Sequence, residues 1–142
     1  MTGDLGTHEL AVRVYYEDTD LAGIVYYANY LKFIERGRSE WIRALGVDQA
    51  GWKRDAGLVF AVRRVEADYL KPALFDDLLR VTTRLSQLGG ARIALHQAVL
   101  RGDTLLFQAE VTLVCMTAEG AAARIPAAIR AQIQPGTVDP AG

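Results

Sequence analysis

From Tyr15 to Tyr30 the chain reads Tyr-Tyr-Glu-Asp-Thr-Asp-Leu-Ala-Gly-Ile-Val-Tyr-Tyr-Ala-Asn-Tyr. Three carboxylates and a glycine interrupt the pattern around them, and this loop lies just before the longest helical pattern in the sequence. A helix start offers unpaired N–H groups and the positive end of the helix dipole. Such a terminus can hold a developing oxyanion, worth roughly 3–4 kcal/mol per well-placed donor in acyl transfer. A carboxylate beside it can attack an activated carbonyl or deprotonate a water. A carboxylate of ordinary acidity (pKa ~3.9) is ionised at neutral pH without special tuning. It is too weak a base for an amide but adequate for a thioester with its good leaving group. Gly23 would let backbone approach a ligand closely. The same residues are equally compatible with a purely structural role, in which Asp18, Thr19 and Asp20 cap the loop and the helix.

The elements that must position this loop follow from periodicity. Leu10, Val12, Val14 and Tyr16 alternate with Glu9, Arg13 and Tyr15, predicting a half-buried strand after a polar arm, Met1 to His8. Tyr27 to Leu45 is predicted helical, with Tyr27, Leu31, Ile34, Trp41 and Leu45 on the apolar stripe. Asn29 or a residue just before it would cap the start, and Gly46 would end it. Glu35 and Arg38 interrupt the apolar face three positions apart, close enough to pair. Gly37 costs roughly 1 kcal/mol against Ala in mid-helix, which implies that another backbone passes close by. Val47 to Gly57 reads as a short helix or turn. Four strands follow, read as a meander: Leu58–Tyr69, Asp77–Leu88, Ala91–Leu100 and Thr104–Met116. In the first, Phe60 and Val62 are on one phase and Val65, Ala67 and Tyr69 on the other, so a bulge or bend is expected at Arg63-Arg64. Lys71-Pro72 ends it. Gly89-Gly90 and Gly102-Asp103 mark turns. On the last strand Leu105, Phe107, Ala109, Val111, Leu113 and Cys115 form the core phase. A weak helix follows Pro126, and Pro135 to Gly142 reads as a disordered tail. One long helix against one antiparallel sheet is an α+β arrangement, and its exposed edges call for pairing with a second copy.

Composition narrows the classes. The 142 residues make one domain, 51% hydrophobic and 23% charged. A net charge of -1 disfavours a nucleic-acid partner, although a local basic patch for an anionic small ligand remains open. A single cysteine excludes an internal disulfide, and the two histidines, His8 and His96, match no zinc spacing. No apolar run approaches the ~20 residues of a membrane span, and the N-terminus lacks the layout of a signal peptide. A cytoplasmic, metal-free protein is the expectation.

The pattern Tyr-x-Asp-Thr-Asp-x-x-Gly-x-Val-Tyr-x-x-x-Tyr, Tyr16 to Tyr30, resembles that of the hotdog-fold acyl-CoA thioesterases. The likeness is to the Tol–Pal-associated type, related to 4-hydroxybenzoyl-CoA thioesterase. It continues through Phe33, Glu35 and Arg38, then Val65-Glu66-Ala67-Asp68-Tyr69-Leu70-Lys71-Pro72-Ala73 and Asp76-Asp77. The resemblance implies a long helix wrapped by a curved antiparallel sheet of about five strands, with an ordered core of about 9–134. It further implies sheets joined edge to edge in a homodimer or homotetramer, with acyl-CoA at the dimer interface. The family's catalytic aspartate falls on Asp20 and its backbone oxyanion donor on Tyr27. Some relatives carry histidine where this chain has Tyr27, so any side-chain role of that histidine is absent here. A second backbone donor is expected around Val62 to Val65. Basic residues for the CoA phosphates point to Arg92 after the glycine turn, with Arg63 and Arg64 as further candidates. No cofactor is implied beyond the CoA of the substrate, and acyl carrier protein is a further partner to consider.

Other residues take quieter roles. Another hotdog branch uses a helix glutamate as catalytic carboxylate, but Glu35 reads here as half of a buried pair with Arg38. His96 shares a strand phase with Arg92, Ala94 and Ala98, as a surface or interface histidine would. Cys115 reads as an inert buried thiol and Trp41 as core. Trp52 would line an acyl pocket or cover the helix end. A hydratase on the same fold is disfavoured, because such sites need a loop histidine and none lies between His8 and His96. The competing class is a non-catalytic protein that binds acyl-CoA or acyl carrier protein as a scaffold of the cell-envelope machinery.

Overall fold

The structure is a computed structural model that describes residues 6–134. The expectations for the first five residues and for Pro135 to Gly142 lie outside them. In chain order the elements are β1 (Thr7–Arg13), α1 (Asn29–Ala44), α2 (Gln49–Ala56), β2 (Leu58–Tyr69), β3 (Leu78–Leu88), β4 (Arg92–Arg101), β5 (Thr104–Thr117) and α3 (Ala127–Ile133). A single 3-10 turn, Tyr16–Asp18, sits between β1 and α1. The five strands form one antiparallel sheet in the order β1-β3-β4-β5-β2. The meander therefore covers only β3 to β5. Instead of pairing with β3, β2 returns beside β5 and forms one free edge, with β1 the other.

Residue chemistry explains most of these boundaries. Asp48 caps α2 by accepting the Gly51 amide, and Gly57 closes it in the left-handed region at φ 70°. The phase change in β2 is a bulge: Val62 pairs with Leu113 but Arg64 pairs with Thr112. One extra residue restores the alternation, so Phe60, Val62, Val65, Ala67 and Tyr69 oppose the odd-numbered residues of β5 that carry the core. A second irregularity separates the Val99–Phe107 and Leu100–Leu105 pairs. Leu106 and Phe107 are thereby both buried, whereas Leu105, expected in the core, is only half-buried.

Helix α1 lies across the sheet on Tyr30, Phe33, Ile34, Gly37, Trp41 and Ile42. The expected stripe was centred too far round, since Leu31 is 41% exposed. Gly37 marks a close approach, but by side chains rather than backbone. A Cβ there would lie 2.8 Å from Val81 Cγ1 and 3.1 Å from Thr83 Oγ1. Beneath it, fully buried Gln97 donates to the Ile34 carbonyl and to Thr83 Oγ1, both at 2.8 Å. Its amide oxygen accepts from Arg38 at 3.1 Å. Glu35 is exposed and accepts from Ser39 instead, so the two do not form the expected buried pair. Burial holds the Arg38 guanidinium below its ordinary pKa, and Glu35 nearby opposes that shift. At the start of the chain, Thr7 and His8 belong to β1 rather than to an arm. Tyr16 leaves the strand for the 3-10 turn and is 82% exposed.

Candidate active site

The loop before α1 separates its two aspartates. Asp18 is buried and fully engaged: its carboxylate accepts the Tyr15 amide at 2.8 Å and Asn29 Nδ2 at 2.9 Å. Its carbonyl accepts the Tyr26 amide at 2.9 Å. Asn29, expected as a cap of its own helix, thus reaches back to the loop, and the cap position is Ala28 with no side-chain cap. Asp20 is exposed, and among the described residues its carboxylate accepts only the Ala22 amide, at 2.9 Å. The tight return is made by Gly23 at φ 83°, whose amide donates to the Asp20 carbonyl at 3.0 Å. The Asp20 amide donates to Ile24 O at 2.9 Å.

The backbone at the helix start can be accounted for group by group. The Tyr26 amide is taken by Asp18, and the Tyr26 carbonyl accepts the Asn29 amide at 2.8 Å. The Tyr27 carbonyl accepts the Tyr69 hydroxyl at 3.0 Å. The Tyr27 amide has no acceptor among the described residues. It is a donor at the positive end of α1, on the peptide unit whose carbonyl, that of Tyr26, already accepts the Asn29 amide. Tyr27 is 63% exposed, so this donor and the Asp20 carboxylate both belong to an open surface. Leu21, Tyr26 and Leu31 are exposed in the loop and the first turn of α1, and Val62 and Val65 are exposed on the free strand β2.

The aromatic packing behind the turn is dense. Tyr30 stacks on Phe107 at 5.0 Å with rings 11° apart, and its hydroxyl accepts the Ala73 amide at 2.9 Å. Tyr69 meets Tyr27, Tyr30 and Phe107 edge-on. Burial raises the pKa of both Tyr30 and Tyr69 above the ordinary tyrosine value, which keeps the hydroxyls protonated as hydrogen-bonding groups.

The cation candidates separate as well. Arg92 and Arg63 are exposed and have no hydrogen-bond or ion-pair partner among the described residues, whereas Arg64 pairs with Glu66 at 2.9 Å. Two further arginines join Arg92 at the Gly89-Gly90 turn. Arg130 on α3 donates to the Gly89 carbonyl at 2.6 Å, and a Cβ on Gly90 would meet Arg124 Nη1 at 3.2 Å. Sequence spacing gave no sign of either, because both reach the turn from the C-terminal segment. His96 lies on the sheet face away from α1, 2.6 Å from Glu110 Oε2. Cys115 is buried, and burial raises its thiol pKa. Trp52 packs on Phe60 at 5.0 Å. A cavity of about 170 Å³ between α1, α2 and β2 is lined by Glu35, Arg38, Trp41, Phe60, Val62 and Leu113 among others. Among the described residues no group of three or more His, Cys, Asp or Glu could hold a metal, and no helix is long and apolar enough to cross a membrane.

Known proteins share both sequence and fold. The acyl-CoA thioesterase YbgC of Haemophilus influenzae is 43% identical over 105 residues, 74% of this chain and 77% of that protein. A probable thioesterase from Bartonella henselae has a crystal structure with TM-score 0.80 and 40% identity, covering 84% of this chain and 99% of its own. A mutant of 4-hydroxybenzoyl-CoA thioesterase, solved with 4-hydroxybenzoyl-CoA, shares the fold at TM-score 0.84 and 20% identity over 90% of this chain and 99% of its own. The antiparallel sheet with its long helix is the hotdog fold of these structures. Residues 14–133 match the model of the thioesterase-like superfamily, and the chain belongs to that family.

Proposed function

We propose that this protein is an acyl-CoA thioester hydrolase that releases free acid and CoA, working through Asp20 and the Tyr27 amide. The observation that carries the reading is the division of labour in the Asp-Thr-Asp loop. Asp18 is consumed in holding the loop, while Asp20 keeps an open carboxylate on the same loop, which runs on to an unclaimed N–H at the start of α1. Relatives named as acyl-CoA thioesterases support the substrate class. Asp20 acts in one of two ways. As nucleophile it attacks the thioester carbonyl, expels CoA thiolate and leaves an acyl anhydride that water hydrolyses. As general base it takes a proton from the attacking water. In either case the Tyr27 amide faces the charge that grows on the carbonyl oxygen. Arg92, with Arg124 beside the same glycine turn, meets the CoA phosphates, and Arg63 on the β2 bulge is the next candidate. Arg64 is less available because of Glu66. No metal or redox cofactor enters these steps.

The open position of the site, with exposed Val62 and Val65 on the free edge of β2, supports a homodimer joined through β2. A partner copy would supply the other wall of the cleft and the further backbone donor expected around Val62 to Val65. A homodimer or a homotetramer, a single domain over 1–142, a cytoplasmic location and acyl carrier protein as a further partner complete the proposal.

The test is release of thiol from a panel of acyl-CoAs, followed with a chromogenic thiol reagent. Asp20→Asn should lower kcat by at least about 100-fold, the scale of losing an acid–base group. Release unaffected by that substitution would place the chemistry elsewhere. Binding of acyl-CoA without release at any chain length would establish the scaffold reading instead.

A further inference from the structure

We infer that Tyr69, at the end of β2, is a positioning residue that fixes the oxyanion-binding amide through its hydroxyl. The inference rests on the role proposed above for the Tyr27 amide. Tyr69 lies 42 positions from Tyr27, yet its hydroxyl donates to the Tyr27 carbonyl at 3.0 Å. Its ring meets the Tyr27 ring edge-on at 6.1 Å. The other backbone groups flanking that donor are held locally. Asp18 takes the Tyr26 amide, and the Asn29 amide is bound by the Tyr26 carbonyl. Among the described residues, Tyr69 alone ties this turn to the sheet at residue 27 itself.

The arrangement suits alignment rather than mere packing. Ala28, at the cap position, offers no side-chain cap. The Tyr27 amide shares its peptide plane with the Tyr26 carbonyl, held by the Asn29 amide, and the next plane, joined through the φ and ψ of Tyr27, is held by Tyr69. The sheet supplies the fixed reference. Tyr69 is braced by Phe107 at 5.1 Å and Tyr30 at 5.5 Å, and Tyr30 is anchored in turn to the Ala73 amide. The hydroxyl hydrogen bond thereby ties the plane that follows the Tyr27 amide to the sheet and limits the drift of that amide from the carbonyl oxygen it would meet. Misplacement by about 1 Å in such a site can cost of the order of 100-fold in rate. In this role Tyr69 acts through the amide rather than on the reacting atoms, so its contribution falls on the transition state.

Tyr69→Phe keeps the ring and removes one oxygen, so the fold is retained. On an acyl-CoA that the parent enzyme hydrolyses, kcat should fall about tenfold while KM changes less than twofold. A direct readout uses Asp20→Asn protein, in which turnover is blocked, loaded with acyl-CoA carrying a ¹³C label at the thioester carbonyl. Hydrogen bonding to the amide lowers the carbonyl stretching frequency, and adding Tyr69→Phe should return much of that shift. A kcat for Tyr69→Phe within twofold of the parent, or a carbonyl frequency unmoved by the substitution, overturns the inference. Full turnover in Asp20→Asn alone would instead overturn the proposed mechanism, so the two failures are told apart.

Discussion

Two aspartates two positions apart in one loop do opposite things, and each has its own expected cost. Asp18 is 6% exposed and takes hydrogen bonds from Tyr15 and Asn29. Asp18→Ala strips both donors of their acceptor, and unpaired buried groups cost about 1–3 kcal/mol each. Urea unfolding should therefore show a loss of about 2 kcal/mol or more. Asp20→Asn, on the exposed side, should leave stability within about 0.5 kcal/mol. Equal stability effects from the two would contradict the assigned division. The Asp-Thr-Asp pattern by itself left this division open, since a carboxylate that holds a loop and one left open have the same residue type. The distinguishing feature is Asn29, eleven positions on, and its reach back is a matter of helix geometry. Gln97 was more legible: it shares the strand phase of Ile93, Leu95 and Val99, so burial was written in its position. Its partners on α1 were not.

At the scale of elements, the helix–sheet contact turns on Gly37. Alanine there would gain about 1 kcal/mol of helix propensity, but its Cβ would press on Val81 and Thr83. Overpacking of that kind costs about 1–3 kcal/mol, and the polar network of Gln97 lies directly beneath. Gly37→Ala should thus lower stability on balance, read as an earlier denaturant midpoint with unchanged slope. A stabilised protein would show that the sheet yields there. The periodicity of α1 was readable but ambiguous, because apolar residues cover two adjoining sides. Trp41 and Ile34 face the sheet, while Leu31 faces outward. The β2 bulge was legible because charged residues made the phase break plain at Arg63-Arg64. The irregularity in β5 was hidden, because Leu105, Leu106 and Phe107 are all apolar and any phase looks acceptable.

For the whole molecule, sequence order could not reveal that β2 lies beside β5, since nearest-neighbour pairing is the simpler expectation for consecutive strands. That placement leaves β2 as a long unprotected edge carrying Val62 and Val65, which a lone chain would be expected to shield. A lysine at position 65 would oppose a second copy of the same edge. Val65→Lys should shift sedimentation from dimer toward monomer and lower activity in proportion to the dimer lost. Monomers with full activity would remove the partner from the site.

The extra residue in β2 reaches further than the edge. Side chains beyond Arg63 owe their orientation to that one-residue surplus, since strand parity would otherwise carry them to the opposite side. Shortening the chain by one residue there would turn Tyr69 outward and swing Asp68 inward, although every aromatic and acidic group remained in place in the sequence. Spacing six positions from a hydroxyl thus governs whether that hydroxyl can reach the loop at all, and variants of this protein should tolerate changes of residue type near 63 far better than changes of length.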